Sequence, residues 1–322
     1  TARDGARWHL IEKTPNQYDW SSFLPMVEAA RDNQLQIIWE LAHFGYPDHI
    51  SVWKAGFVDH FERYAREMAR IIRDQGIQQA FFTPVNQISF WSWAGADVAW
   101  FNPHASQRGK ELKRQLVRAS LAAMQAIREV IPDARFVLTD PLVQIAHHPD
   151  NPDSKPGADA QHQAQFEAWD MLAGRVDKEL GGHEDFLDIL GLNYYPDNHW
   201  FFPDRPMDRD DPVRAPLHIL LAQYWQRYQR PMLIAETGAE GEARAPWLQE
   251  VSENVAVALD QGIAMEGISL YPVVEYPAWA DDRRSPGSLL GLADPNGNRT
   301  VHEDLALVLR SQQIKFTKRD QS

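Results

Sequence analysis

Short apolar segments alternate with longer, one-sided helical patterns along the whole chain, and this alternation restricts the fold more than any other feature of the sequence. A strand followed by a helix, repeated many times, predicts a parallel sheet with helices packed over it. The expected strands are Leu35 to His43, Gln79 to Gln87, Ala134 to Leu142, Phe186 to Tyr195, Met232 to Thr237 and Met265 to Tyr271, with a stub at Thr1 to Gly5. Most are near-continuous apolar runs, as parallel strands buried on both faces require. Between them, Phe57, Phe61, Tyr64, Met68 and Ile71 recur at three- and four-residue steps, with Asp59, Glu62, Arg63, Arg66 and Arg70 on the other faces. That spacing predicts a helix with one buried side. The same rhythm predicts helices through Phe166, Trp169, Ala173, Val176 and Leu180, and through Leu112, Leu116, Ala119, Ala123 and Ile127.

A chain of 322 residues accommodates an α/β barrel as one domain, and no linker, repeat or composition shift divides residues 1–322. The fold expected is therefore a (β/α)8 TIM barrel. A closed barrel has eight strands and the sequence offers seven, so the first β-strand, the first helix and part of the second strand are expected to lie outside the given residues. On that reading the stub Thr1 to Gly5 lies beside the strand from Leu35. The Pro- and Asp-rich stretches His148 to Pro156 and Pro203 to Pro212 read as βα loops, which carry function in this fold.

Composition narrows the partners. The net charge is -13, which repels nucleic acid and anionic membrane surfaces and favours a neutral substrate. No apolar run approaches the roughly 20 residues of a membrane span. The chain has no Cys, hence no disulfide framework and no thiolate chemistry, and the cytoplasm is the expected compartment. Twelve Trp suit a cleft whose walls stack on the C–H faces of sugar rings, although large core residues explain the same number.

Active sites of such barrels lie at the C-terminal ends of the strands, and the polar residues of this chain concentrate there. The strand from Gln79 ends in Asn86-Gln87, that from Met232 in Ile-Ala-Glu236-Thr-Gly, that from Leu35 in Leu-Ala-His43-Phe44-Gly-Tyr-Pro, and that from Phe186 in Asn193-Tyr194-Tyr195-Pro. Alternation puts Asn193 and Tyr195 on one face and Tyr194 on the other.

In this order, each at a strand end, the motifs resemble those of the family 1 glycoside hydrolases, the β-glucosidases of clan A, from Thr1 to about Thr300. Ile-Ala-Glu236-Thr-Gly is similar to the family's nucleophile motif Ile-Thr-Glu-Asn-Gly. Leu41 to Pro47 is similar to Leu-Tyr-His-Trp-Asp-Leu-Pro, Leu187 to Tyr195 to Phe-Ile-Gly-Ile-Asn-Tyr-Tyr, and Arg3 with Trp8 to the second-strand Arg and Trp. The resemblance implies a β-glucosidase-like hydrolase of the retaining kind, acting on an oligosaccharide or glycoside without cofactor or metal. It makes Glu236 the nucleophile, with Tyr195 holding its orientation and Arg3 keeping it ionised. Asn86 would bind the sugar 2-hydroxyl, and His43 with Phe44 would line the pocket for the non-reducing sugar. Trp91, Trp93 or Trp279 would supply stacking faces. Retention also requires a second group roughly 5 Å from the nucleophile, and position 87 is expected to face Glu236 at that separation.

Two departures matter. The family's fourth strand ends Asn-Glu, with Glu as the acid/base, whereas here Asn86 is followed by Gln87, and an amide delivers no proton at neutral pH. Plant myrosinases also carry Gln here and act on activated leaving groups, but nothing else in the chain points to thioglucosides, so a Glu-to-Gln variant of the acid/base position is the reading favoured. In the last strand, Ala278 stands where the family's Glu holds distal hydroxyls, and Glu275 is the expected substitute, with Trp279 retained. Glucose specificity is therefore not implied. The alternatives are a sugar-binding protein without turnover and a metal-dependent sugar isomerase. The second lacks clustered carboxylate and His ligands at strand ends, and the adjacent His147 and His148 would diverge on one strand.

Overall fold

The structure is a computed structural model that describes residues 1–77, 79–278 and 283–319. Its main strands are β1 (Ala2–Gly5), β2 (Ile37–Ala42), β3 (Phe81–Val85), β4 (Arg135–Pro141), β5 (Ile189–Asn193), β6 (Met232–Thr237) and β7 (Met265–Leu270). They form a seven-stranded sheet whose order follows the chain from β1 to β7, as successive βα units dictate. Every strand expected from the sequence is present, Met232–Thr237 with the expected bounds and the others shorter by one to three residues at one or both ends. By contact density the chain divides into two compact units, Thr1–Pro141 with Gln163–Gly191, and Leu142–His162 with Leu192–Ser322.

In the first unit β1 to β4 pair in parallel, with Gly5 opposite Glu40, Glu40 opposite Thr83, Ala42 opposite Val85 and Phe82 opposite Phe136. This register brings the polar ends of neighbouring strands level, which positions the candidate site. Helices Gly56–Asp74 and Gly109–Val130 cover these strands. The first buries Phe57, Phe61, Tyr64, Ala65, Met68, Ala69 and Ile72, so Ile72 rather than the expected Ile71 completes the apolar stripe. Trp8, buried after β1, stacks on Tyr64 with centroids 5.2 Å apart and tilts against Phe57 and Phe61. Truncating any one of these rings would cost about 3–5 kcal/mol, because the packed surroundings cannot collapse into the void.

The helix expected through Phe166 to Leu180 is shorter than its periodicity suggests. It runs only from Glu167 to Leu172, and Val176 is exposed. Gly174 explains the stop: it sits at φ +70°, and a Cβ there would lie 2.3 Å from the carbonyl oxygen of Gly182. The close approach of two backbones, open only to glycine, turns the chain away before Val176.

In the second unit β6 and β7 pair in parallel, with Met232 opposite Met265 and Thr237 opposite Leu270. Helices Leu217–Tyr228, Arg244–Asp260 and Glu303–Arg319 belong to this unit. Three short strands, Gln144–Ala146, His199–Phe201 and Arg205–Pro206, form a further sheet, and of these Arg205–Pro206 lies within the stretch Pro203 to Pro212 read as a βα loop. A two-stranded sheet joins Leu290–Ala293 to Arg299–Val301. Among the described residues no helix is long and apolar enough to cross a membrane.

Candidate active site

Glu236 is the penultimate residue of β6, and its side chain is almost wholly buried, with 6% of the residue exposed. Tyr195 donates its hydroxyl to Oε2 of Glu236 at 2.9 Å. The backbone fixes this pair, because the N–H of Tyr194 donates to the carbonyl of Glu236 at 2.9 Å and so ties the end of β5 to β6. One residue on, Thr237 accepts from Trp247 Nε1 at 2.8 Å and Gly238 follows. A Cβ at Gly238 would lie 1.9 Å from the carbonyl oxygen of Tyr271, so the motif needs glycine here to let two backbones touch.

Tyr194 points to the other face, as alternation requires. It stacks on Trp247 at 5.2 Å and donates to His199 Nε2 at 2.7 Å, while His199 Nδ1 donates to Gln144 Oε1 at 2.8 Å. Burial, with Arg214 adding to it, pushes the His199 imidazole down to about 3, and burial pushes the Tyr194 hydroxyl up to about 12. Both are neutral at ordinary pH, and this uncharged relay fixes the donor direction at each step. Asn193 is fully buried, and its carbonyl accepts from the backbone of Leu142 and the side chain of Asn198. Glu275, on the segment after β7, lies 3.9 Å from Arg284. Trp279 lies outside the described residues.

The first unit carries a second set of strand-end groups. Asn86 is fully buried at the end of β3, accepts from Thr139 Oγ1 at 3.0 Å, and holds its amide nitrogen 3.3 Å from His43 Nδ1. His43 in turn lies 3.0 Å from Oε2 of Glu40. Arg3 reaches Oε1 of Glu40 at 3.6 Å, with both side chains buried. Burial alone would raise the Glu40 carboxyl, but the charges of Arg3 and His43 and the His43 hydrogen bond outweigh it and hold Glu40 below its ordinary value. Sequence reasoning placed Arg3 and His43 but not the carboxylate between them. Glu40 sits inside the apolar run Ile37–Ala42, and a buried acid in a core strand at the register of Thr83 is the signal that reveals it.

Gln87 follows Asn86 in the left-handed region at φ 50°, where a non-glycine residue is strained by about 1 kcal/mol or more, and it begins helix Ile88–Ala96. Asp140, at the end of β4, holds the start of that helix by accepting from the Ser89 N–H at 2.9 Å and the Ser89 hydroxyl at 2.6 Å. It lines a small, largely apolar cavity with Leu138, Trp169 and Leu172, and burial pushes its carboxyl up to about 7 despite the Ser89 hydrogen bonds. Phe44 packs edge-on against His43 at 4.5 Å and stacks on Phe101 at 5.5 Å. Of the expected stacking faces, Trp91 is fully buried with Nε1 bonded to Asn102 O at 2.6 Å, and is a core residue. Trp93 and Trp100 are about half exposed, at 49% and 45%, and flank Phe90 and Phe101.

No protein-family profile matches this chain, and no curated protein matches it. Solved structures do. The AHE enzyme from Alicyclobacillus herbarius superposes with a TM-score of 0.81 at 18% identity, covering 97% of this chain and 82% of that one. A β-glucosidase from Thermotoga maritima in complex with glucoimidazole gives 0.79 at 15%, again with 97% and 82% covered. A β-glycosidase from Pyrococcus horikoshii gives 0.78 at 14%, with 96% and 79% covered. The chain has the fold of the β-glucosidases. At identities this low the likeness is one of fold.

Proposed function

We propose that this chain is a retaining β-glycoside hydrolase in which Glu236 attacks the anomeric carbon of a neutral glycoside. The observation that carries the reading is the buried Glu236 carboxylate held by the Tyr195 hydroxyl at a strand end. A nucleophile needs one fixed orientation and one lone pair free of solvent, and a phenol locked by its own strand supplies the first. Attack forms a bond from a Glu236 oxygen to the anomeric carbon as the bond to the leaving oxygen breaks. Water then displaces Glu236 and restores the configuration.

Asn86, held by Thr139, binds the 2-hydroxyl, a contact that tightens as the oxocarbenium ion develops. His43, oriented by Glu40, binds a further hydroxyl, and Phe44 forms the adjoining apolar wall. Arg3 acts through Glu40: it balances the charge that orients His43. Glu275 reaches the distal hydroxyls. Gln87 occupies the acid/base position and orients the leaving oxygen without protonating it, so the chain favours leaving groups that depart as stable anions. The same Gln87 favours a second reading, a sugar-binding protein without turnover.

One comparison separates the two. The parent should hydrolyse a dinitrophenyl glycoside and Glu236→Ala should not; absence of turnover in the parent, with sugar binding retained, supports the binding protein instead.

A further inference from the structure

The side chains of Glu12, His49 and His60 come together in the first unit, away from every group assigned above, with their donor atoms all within 4.8 Å of one another. Glu12 follows the short helix Trp8–Ile11, His49 lies in the segment after β2, and His60 is in the second turn of helix Gly56–Asp74. The segment after β1 therefore meets the segment after β2 and the helix that follows it. We infer that these residues form a binding site for one divalent transition-metal ion of the zinc type.

Spacing is the first ground. Oε1 of Glu12 is 3.4 Å from His60 Nδ1 and 3.6 Å from His49 Nε2. Both exceed an ordinary hydrogen bond. Ligands about 2.0–2.1 Å from a tetrahedral zinc ion lie about 3.4 Å from each other, so the separations fit donors that share a central ion. The second ground is His60 Nδ1, which is buried and has no hydrogen-bond partner. A buried ring nitrogen turned toward a carboxylate oxygen, yet outside bonding geometry, is costly unless something between them accepts its lone pair.

Glu12 is prepared for the task. It is 0% exposed; Trp8 Nε1 donates to Oε2 at 2.7 Å and the Asn16 N–H donates to Oε1 at 2.9 Å, so the carboxylate is held by its neighbours as metal ligands usually are. Two imidazoles and one carboxylate match zinc, nickel or cobalt and leave the remaining position to water. The two His rings retain solvent access, at 22% and 23% of their side chains, which provides a path of entry. The ion would clasp the segment after β1 to the segment after β2, the latter being the one that begins with His43 and Phe44.

The test is a zinc titration of the untagged full chain after dialysis against a chelator, by calorimetry and by thermal unfolding, with cobalt absorption as a readout of coordination. The parent should bind one zinc ion per chain, show the intense visible bands of low-coordinate cobalt, and unfold at higher temperature with zinc present. His49→Ala and His60→Ala should each weaken zinc binding at least about tenfold, and the double variant should lose both the site and the thermal shift. His49→Ala removes a partly exposed ring from the segment after β2, and its unfolding temperature without zinc, compared with the parent's, separates loss of the site from loss of the fold. Zinc binding in His49→Ala and His60→Ala with the parent's stoichiometry and affinity, or no saturable binding by the parent, overturns the inference.

Discussion

Tyr195 donates its hydroxyl to Glu236 at 2.9 Å, and the same strand end anchors Tyr194 to the carbonyl of Glu236. One dipeptide thus fixes Glu236 twice, through the Tyr195 side chain and the Tyr194 backbone N–H. A hydrogen bond to a charged group contributes about 1.5–3 kcal/mol. Tyr195→Phe should therefore lower kcat on an activated aryl glycoside about 10- to 100-fold with little change in KM, because the lost contact orients Glu236 and does not bind the sugar. A variant at the parent's kcat would remove Tyr195 from the mechanism.

Gln87→Glu should raise hydrolysis about 10²- to 10⁴-fold for substrates with sugar-like leaving groups and much less for dinitrophenyl leaving groups. A departing dinitrophenolate needs no proton. With Gln87 in place, azide should speed breakdown of the glycosyl-enzyme, since a small anion needs no general base. Steady-state rates on both substrate classes, with and without azide, test this. Equal gains for both leaving groups would place the acid/base elsewhere.

Asp140 should make stability depend on pH. Burial pushes its carboxyl up to about 7, above its ordinary value near 3.8, so folding takes up a proton. The stabilisation is fully present below about pH 4 and is lost as pH rises toward 7, with a slope of about 1.4 kcal/mol per pH unit in that window. Asp140→Asn keeps an acceptor for Ser89 and cannot titrate. Urea unfolding of both proteins from pH 4 to 8 should show the parent losing stability relative to the variant as pH rises toward 7. Parallel curves would contradict the assignment.

The strands were legible because parallel strands buried on both faces must be apolar throughout, and β2, β3 and β6 lie where those runs lie. Strand-end polar residues were legible for the same reason: they are the first residues the core does not demand. Periodicity failed where tertiary contacts took over. The run through Phe166 to Leu180 keeps helical spacing, but the backbone contact at Gly174 ends the helix at Leu172. Glu40 was hidden inside an apolar run, since pairing with Arg3 rather than exposure makes its burial tolerable. Trp91 and Trp93, two residues apart, could not be told apart as core and surface by composition, and only the helix Ile88–Ala96 turns one in and the other out. Glu12, His49 and His60 share no local spacing at all.

The most direct measurement of the central claim is mass spectrometry of the chain mixed with a dinitrophenyl β-glycoside and quenched by acid. Because Gln87 cannot serve as base for the second step, the glycosyl-enzyme should accumulate, and peptide mapping should find one sugar esterified to Glu236. A sugar adduct on another residue, or a burst of dinitrophenolate with no adduct on Glu236, would contradict the account.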